Sequence, residues 1–406
     1  MTVPFRFRWV PAVLVAMALG HAAASAAQAS VPPASPSPPA NSGADGSAAD
    51  TIVDTVVRPV IARYGVPGMA VGVVWKGQRH FYNYGVLSRD GGRPVTSDTL
   101  FEIGSVSKTF TATLAAYASE TGKLSFGDPV ARHLPELHGS AVGKATVLDL
   151  ATHTTGLPLQ VPDDIATMPA YWQYLKRWQP PHPLGSHRVY SNNGIGVLGL
   201  VAASSLGESF QAAVTRTVLE PIGLKHTYYR VPPERNADYA QGHTSRDVPI
   251  RMRGDLLWQE AYGIKSSSAD LLRFVEANMH GIPLEATLQR AVDATHTAYF
   301  RTGAMGQALV WERYRYPATL QALLEGNEAV LKARPVTRLA PPEQGDAGAW
   351  LHKTGSTNGF AAYALFVSQQ KIGLVLLANK NFPLDERVRM GYEIVTRLVA
   401  EGASKR

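Results

Sequence analysis

The 406 residues contain no cysteine. That absence excludes disulfides, a lipid-modified N-terminal cysteine and thiolate metal sites, so stability must come from a large packed core. Beyond the N-terminus there is no apolar run long enough to span a membrane, no H-E-x-x-H and no comparable ligand cluster, and no glycine fingerprint of a nucleotide site. A metal or cofactor is therefore not expected. Charge of one sign is not concentrated either. Lys and Arg number 39 against 32 Asp and Glu, a formal net charge of +7, but the basic residues are scattered rather than drawn into arms or stripes. Nucleic acid is not the expected partner.

What is present begins with Arg6 and Arg8, an apolar run from Trp9 to about Leu19, and small residues at Ala24-Ser-Ala26 and Ala27-Gln-Ala29. This is the layout of a secretory signal over residues 1–29, with a mature start near Ser30. Residues 30–50 are rich in Pro, Ser, Ala and Gly and read as a flexible leader, since they offer too little apolar surface to offset the entropy of ordering. Folding is expected from about Asp50.

The remaining length suits one large domain or two interleaved ones. Ile52, Val56 and Val60 predict a helix over 51–64, stopped by Gly65-Val-Pro-Gly68, and the runs 69–75 and 79–84 predict a strand hairpin. At the other end, 361–367 and 372–377 predict two strands and 386–399 a helix. Strands at both ends flanked by helices predict an α+β fold in which both ends of the chain build one antiparallel sheet. On this reading 51–105 and 255–402 form an α/β domain, and 106–254 form an inserted, mainly helical domain. Helices are expected near 108–120, 146–152, 166–178, 195–205 and 209–218.

Three short motifs carry chemistry. In Ser105-Val-Ser-Lys108, a helix start would put Lys108 on the face of Ser105, where a lysine in a buried polar cleft can help a hydroxyl attack a carbonyl. Ser107 lies off that face. In Tyr190-Ser-Asn192, the phenol can exchange a proton with the serine and a leaving nitrogen. Asn192 can hydrogen-bond the substrate or the lysine. In Lys353-Thr-Gly355, a strand beside the cleft supplies positive potential from Lys353. If it is an edge, it offers backbone pairing for an amide, with the Ser356 N–H joining that of Ser105 in an oxyanion hole. Gly355 is expected to leave room for the substrate. Each motif alone is weak evidence; all three in this order, far apart in the chain, describe a serine acyltransferase.

These residues resemble the class C serine beta-lactamases, the AmpC-like cephalosporinases, within the wider family of serine beta-lactamases and penicillin-binding proteins. The resemblance covers essentially the whole mature chain. It implies a beta-lactamase/transpeptidase-like fold, no cofactor, a monomer, periplasmic residence and hydrolysis of small-molecule beta-lactams, cephalosporins above all. It further implies that Gln160 meets the substrate's acylamino side chain, that Tyr262 lines the side-chain pocket, and that Thr354 and Asn381 hold the substrate carboxylate with Lys353. Leu384 departs from the asparagine often found at its position. A D-alanyl-D-alanine carboxypeptidase, an esterase or a non-turnover penicillin-binding protein would share the same nucleophile set.

Overall fold

The computed structural model describes residues 44–328 and 332–404. The signal expected at 1–29 and the leader as far as residue 43 lie outside the described residues. Helix α1 spans Ala44–Tyr64, so residues 44–50 are helical rather than leader. Alanine is the strongest helix former, and Ala49 extends the buried stripe of Val53, Val56, Val57 and Val60 by one turn.

The chain continues through β1 (Gly68–Trp75), β2 (Gln78–Gly85), α2 (Ser107–Glu120), α3 (Asn192–Leu206), the one-turn α4 (Trp258–Ala261) and α5 (Ser268–Asn278). It then passes through β3 (Ala298–Thr302), β4 (Met305–Gln307), β5 (Glu312–Arg315), β6 (Thr337–Glu343), β7 (Ala349–Ser356), β8 (Ala361–Val367) and β9 (Ile372–Ala378), and ends in α6 (Leu384–Ser404). Shorter elements lie between these. The nine strands form one antiparallel sheet in the order β6-β3-β4-β5-β7-β8-β9-β1-β2. The two ends of the chain therefore meet, with Met69 opposite Ala378.

Every residue of β1, β8 and β9 is buried, which requires cover on both faces of the sheet. Val71, Val73, Leu374 and Leu376 pack with Val53, Val388 and Ile394 of α1 and α6. Ala70, Val74 and Val375 face the opposite way, toward Leu272 and Val275 of α5. Each fully buried aliphatic side chain here contributes about 1.5–3 kcal/mol.

The stretch between β2 and β3 is mainly helical. Expected helices appear at Ser107–Glu120, Val147–Ala151, Met168–Arg177, Asn192–Leu206 and Phe210–Val214. Helix α2 is buried around nearly its whole circumference, although Ser107, Lys108, Thr109, Thr111 and Thr113 are among its buried residues. Its threonines find carbonyl acceptors: Thr113 donates to Thr109 O one turn back at 2.9 Å, and Thr111 to Glu260 O of α4 at 2.6 Å. Among the described residues no single helix is long and apolar enough to cross a membrane.

Strand β7 is not an edge strand along its full length. It pairs with β8 from Leu351 to Ser356, whereas β5 accompanies it only from Ala349 to His352. Its last four residues, Lys353 to Ser356, have no strand on that second side among the described residues.

Candidate active site

The Ser105-Val-Ser-Lys108 motif sits where a 3-10 turn, Gly104–Val106, runs into α2. Ser105 is partly exposed, while Lys108, three residues on, is fully buried. The Lys108 ammonium donates to Ser105 Oγ at 2.9 Å and to the Ala261 carbonyl at the end of α4 at 2.7 Å. Burial pushes the amine down to about 8, with Tyr190 opposing and Lys353 adding to the shift. Ser107 is tied elsewhere, its hydroxyl accepting from the Ile264 N–H at 3.1 Å.

Tyr190 and Asn192 are fixed by a helix cap. Ser191 is the N-cap of α3 and its hydroxyl accepts from Gly194 N at 2.7 Å. That makes Tyr190 the residue before the cap and Asn192 the first helical residue. Around the Tyr190 ring stand Lys353 Nζ at 5.1 Å, Lys108 Nζ at 5.2 Å and Arg188 Cζ at 5.4 Å from its centre. Burial raises the phenol, but Lys108, Lys353 and the neighbouring Ser105 hydroxyl outweigh it and bring it down to about 8. The His153 ring lies 4.4 Å from that of Tyr190 and accepts from Ser191 N through Nδ1 at 3.2 Å. Burial holds His153 neutral, its pKa well below the usual value. Among the described residues Asn192 Oδ1 is buried without a hydrogen-bond partner.

Behind Tyr190 lies a buried charge network that the sequence reading missed. Glu312 on β5 is 3.0 Å from Arg188, 3.3 Å from His352 and 3.8 Å from Lys353, and all four are at most 1% exposed. Arg188 also donates to Gln307 Oε1 at 2.6 Å. Burial alone would raise the Glu312 carboxyl; Lys353, His352 and Arg188 outweigh it and hold it at about 2. His352 is structural here, its Nδ1 lying 2.6 Å from Tyr363 Oη.

The two glycines of the motifs serve close packing. A Cβ on Gly355 would stand 2.0 Å from the Ile103 carbonyl oxygen and 3.0 Å from Val106 N. The room expected for substrate at Gly355 is thus occupied by the turn that carries Ser105, and the glycine lets β7 lie against that turn. Gly104, at φ +52°, packs against Ser356 in the same way, with a Cβ only 2.5 Å from its N. Ser356 is thereby brought beside the turn that carries Ser105.

Arg387, one residue into the predicted C-terminal helix, was also missed. It is 1% exposed. It donates to Gly355 O at 2.6 Å, Ser356 Oγ at 2.8 Å, Asn381 Oδ1 at 2.7 Å and the Phe382 carbonyl. Burial pushes its guanidinium down to about 9. A lone arginine in the helical stripe of Val388, Gly391, Ile394 and Val395 was the available signal. Thr354 is buried, and its carbonyl accepts from Lys353 Nζ at 3.1 Å. Ser105, Lys108, Tyr190, Lys353, Gly355, Ser356 and Asn381 are thus linked in one assembly. Gln160 is exposed at the loop whose Leu159 carbonyl accepts from Asn192 N at 2.9 Å. Tyr262, half-buried, directly follows the Ala261 carbonyl that receives Lys108. Among the described residues neither side chain hydrogen-bonds Ser105, Lys108, Tyr190 or Lys353.

The sequence profile of the family described as Beta-lactamase matches residues 53–397. A beta-lactamase of Lysobacter lactamgenus is 44% identical over 376 residues, covering 92% of this chain and 95% of its own length. A crystal structure of a class C beta-lactamase in complex with cefoxitin superposes with a TM-score of 0.85 at 44% identity, over 86% of this chain and 99% of that one. A beta-lactamase/D-alanine carboxypeptidase from Pseudomonas syringae does so with a TM-score of 0.84 at 44% identity, over 86% and 99% of the two chains. The profile match over residues 53–397 and the 44% identity across 92% of the chain show that the chain belongs to the beta-lactamase family.

Proposed function

We propose that this protein is a class C serine beta-lactamase that hydrolyses cephalosporins and penicillins through an acyl-enzyme on Ser105. The observation that carries the reading is the Lys108 to Ser105 hydrogen bond of 2.9 Å beneath a tyrosine flanked by two ammonium groups. Ser105 Oγ attacks the lactam carbonyl while Lys108 and Tyr190 take its proton. Both groups sit at about 8 and influence each other, so they act as one coupled acid–base pair. The backbone N–H groups of Ser105 and Ser356 receive the oxyanion. Tyr190 returns the proton to the departing nitrogen, and water then attacks the ester to free Ser105.

Asn192 and Gln160 receive the substrate's amide side chain and Tyr262 walls its pocket. Lys353, Thr354 and Asn381 take the carboxylate, with Arg387 holding Asn381 and the end of β7 in place. The sheet with α1, α5 and α6 (51–105 and 255–402) and the helical insertion (106–254) act as two lobes around this cleft. The signal-like residues 1–29 support export to the periplasm.

A chromogenic cephalosporin followed by stopped flow tests the proposal, with Ser105→Ala alongside. Sustained turnover that the variant loses is the expected result. A single stoichiometric burst followed by silence would instead mean a penicillin-binding protein. The two-activity name of the Pseudomonas syringae relative favours one second reading, a carboxypeptidase side activity. Release of D-alanine from a peptide ending in D-Ala-D-Ala, measured on the same preparation, decides it.

A further inference from the structure

A cavity of about 400 Å³, sharing no residue with the assembly around Ser105, lies between Arg230, Tyr239, Arg251, Trp258 and Lys265. Its lining carries three cations and no carboxylate. Lys265 is only 6% exposed. Its ammonium donates to the carbonyls of Tyr229 and Gly263, both at 3.0 Å, which uses two of its three protons. It also lies 4.6 Å from the centre of the Trp258 ring, with Arg230 Cζ 5.7 Å from that ring. Arg251 rests 4.0 Å from the centre of the Tyr239 ring and donates from Nε to Ala240 O at 3.1 Å and from Nη2 to Tyr239 O.

Among the described residues no carboxylate oxygen lies within the 4.0 Å ion-pair distance of these three side chains. The acid that acts on Lys265 is Glu102, buried outside the lining: its Oε1 accepts from both Tyr239 Oη at 2.5 Å and Met252 N at 2.7 Å, and its Oε2 has no hydrogen-bond partner among the described residues. Burial pushes the Lys265 amine down to about 8, with Glu102 opposing and Arg230 adding to the shift. A buried cation without an ion pair is unfavourable unless something supplies the missing charge. The aromatic seat is rigid as well: a Cβ on Gly263 would stand 2.5 Å from Trp258 Cε3, and one on Gly254 2.7 Å from its Nε1. Aromatic faces hold the guanidinium groups by cation–π attraction and leave their N–H edges for a ligand.

We propose that this cavity is a binding site for a small multivalent oxyanion, a phosphate or carboxylate compound held by Arg230, Arg251 and Lys265. Arg230 and Arg251, both exposed, and the buried Lys265 outnumber the one buried carboxylate by two, which matches a ligand of about two negative charges, and the volume falls in the range of small-molecule sites. Guanidinium geometry serves phosphate and carboxylate alike. The cavity lies one helical turn from Lys108: Trp258 opens α4, and Ala261, which closes it, accepts from the Lys108 ammonium.

Calorimetric titration with pyrophosphate and, separately, with propane-1,2,3-tricarboxylate tests the proposal and distinguishes the two chemistries. The proteins compared are the wild type, Lys353→Ala to remove the substrate-carboxylate site, Arg230→Gln, and the Arg230→Gln/Arg251→Gln double variant. One or both anions are expected to bind the wild type and Lys353→Ala alike and to bind the double variant about tenfold or more weakly. Arg230→Gln alone loses no recorded hydrogen bond, so it keeps the test valid if the double variant fails to fold; it should weaken binding several-fold. Absence of binding by either anion would overturn the proposal. So would binding that survives Arg230→Gln unchanged but disappears in Lys353→Ala.

Discussion

Replacing Glu312 by glutamine keeps the shape of the side chain and removes its charge from a buried cluster shared with Arg188, His352 and Lys353. In the fold its carboxyl is held at about 2 against a usual 4.5. At 1.36 kcal/mol per pKa unit, that difference contributes about 3 kcal/mol at neutral pH. Because the pKa is depressed, the contribution is complete above 4.5 and is lost as pH falls toward 2. Glu312→Gln should therefore be about 3 kcal/mol less stable than wild type at pH 7, in the range expected for breaking a buried ion pair from one side. At pH 3.5 the gap should shrink to about 2 kcal/mol. Urea unfolding of both proteins at the two pH values measures it. Glu312 also raises the Tyr190 phenol, so its loss should move the rising limb of kcat/KM to lower pH. A stability gap of the same size at both pH values, or no gap at pH 7, would refute the electrostatic argument.

Three further outcomes are expected. Burial lifts the Glu260 carboxyl to about 7, so folding loses stability as pH rises from 4.5 to 7. Glu260→Gln should be up to about 3 kcal/mol more stable than wild type at pH 8 and no more stable at pH 4, a contrast that thermal unfolding at the two pH values would reveal or deny. Gly355→Ala places a methyl 2.0 Å from Ile103 O, well inside ordinary contact. It should displace β7 from the nucleophile turn and cost about 10²–10³-fold in kcat, and an alanine variant with wild-type turnover would show that the close approach is dispensable. Arg387→Met leaves the acceptors of Gly355, Ser356, Asn381 and Phe382 without their donor. A loss of about 2–4 kcal/mol in urea unfolding is expected, together with a raised KM for substrates bearing a carboxylate.

The motifs and most of the frame were legible in the sequence because their signals are local. Runs such as 361–367 and 372–377 are strands by composition. Ser105 and Lys108 meet because helical spacing brings residues three apart together. The residues that were missed act across distance. Glu312 lies on a four-residue strand and Arg188 on a two-residue one, too short for any periodicity, and they meet only through a fold that bridges 124 positions. Gly355 was read correctly as a place where a side chain is unwelcome, but not what fills the space, since the Ile103 carbonyl arrives from 252 residues earlier. The early start of α1 at Ala44 was hidden by alanines and glycine that also suit a leader.

The pairing of β1 with β9 has a consequence for how the protein is made. Gly68 donates its backbone N–H to the side chain of Asn379, 311 residues later. At about 5–20 residues per second, the ribosome needs roughly 15–60 s after making β1 before its partner exists. Throughout that interval the apolar strand Gly68–Trp75 has one unpaired side and no α6 to cover it. Ser105 and Lys108 are synthesised early, but Lys353 and Arg387 come almost last. No nascent fragment short of Arg387 can therefore hold the whole assembly, and a chain truncated before β9 would carry Ser105 and Lys353 but lack both Arg387 and the strand that joins β8 to β1.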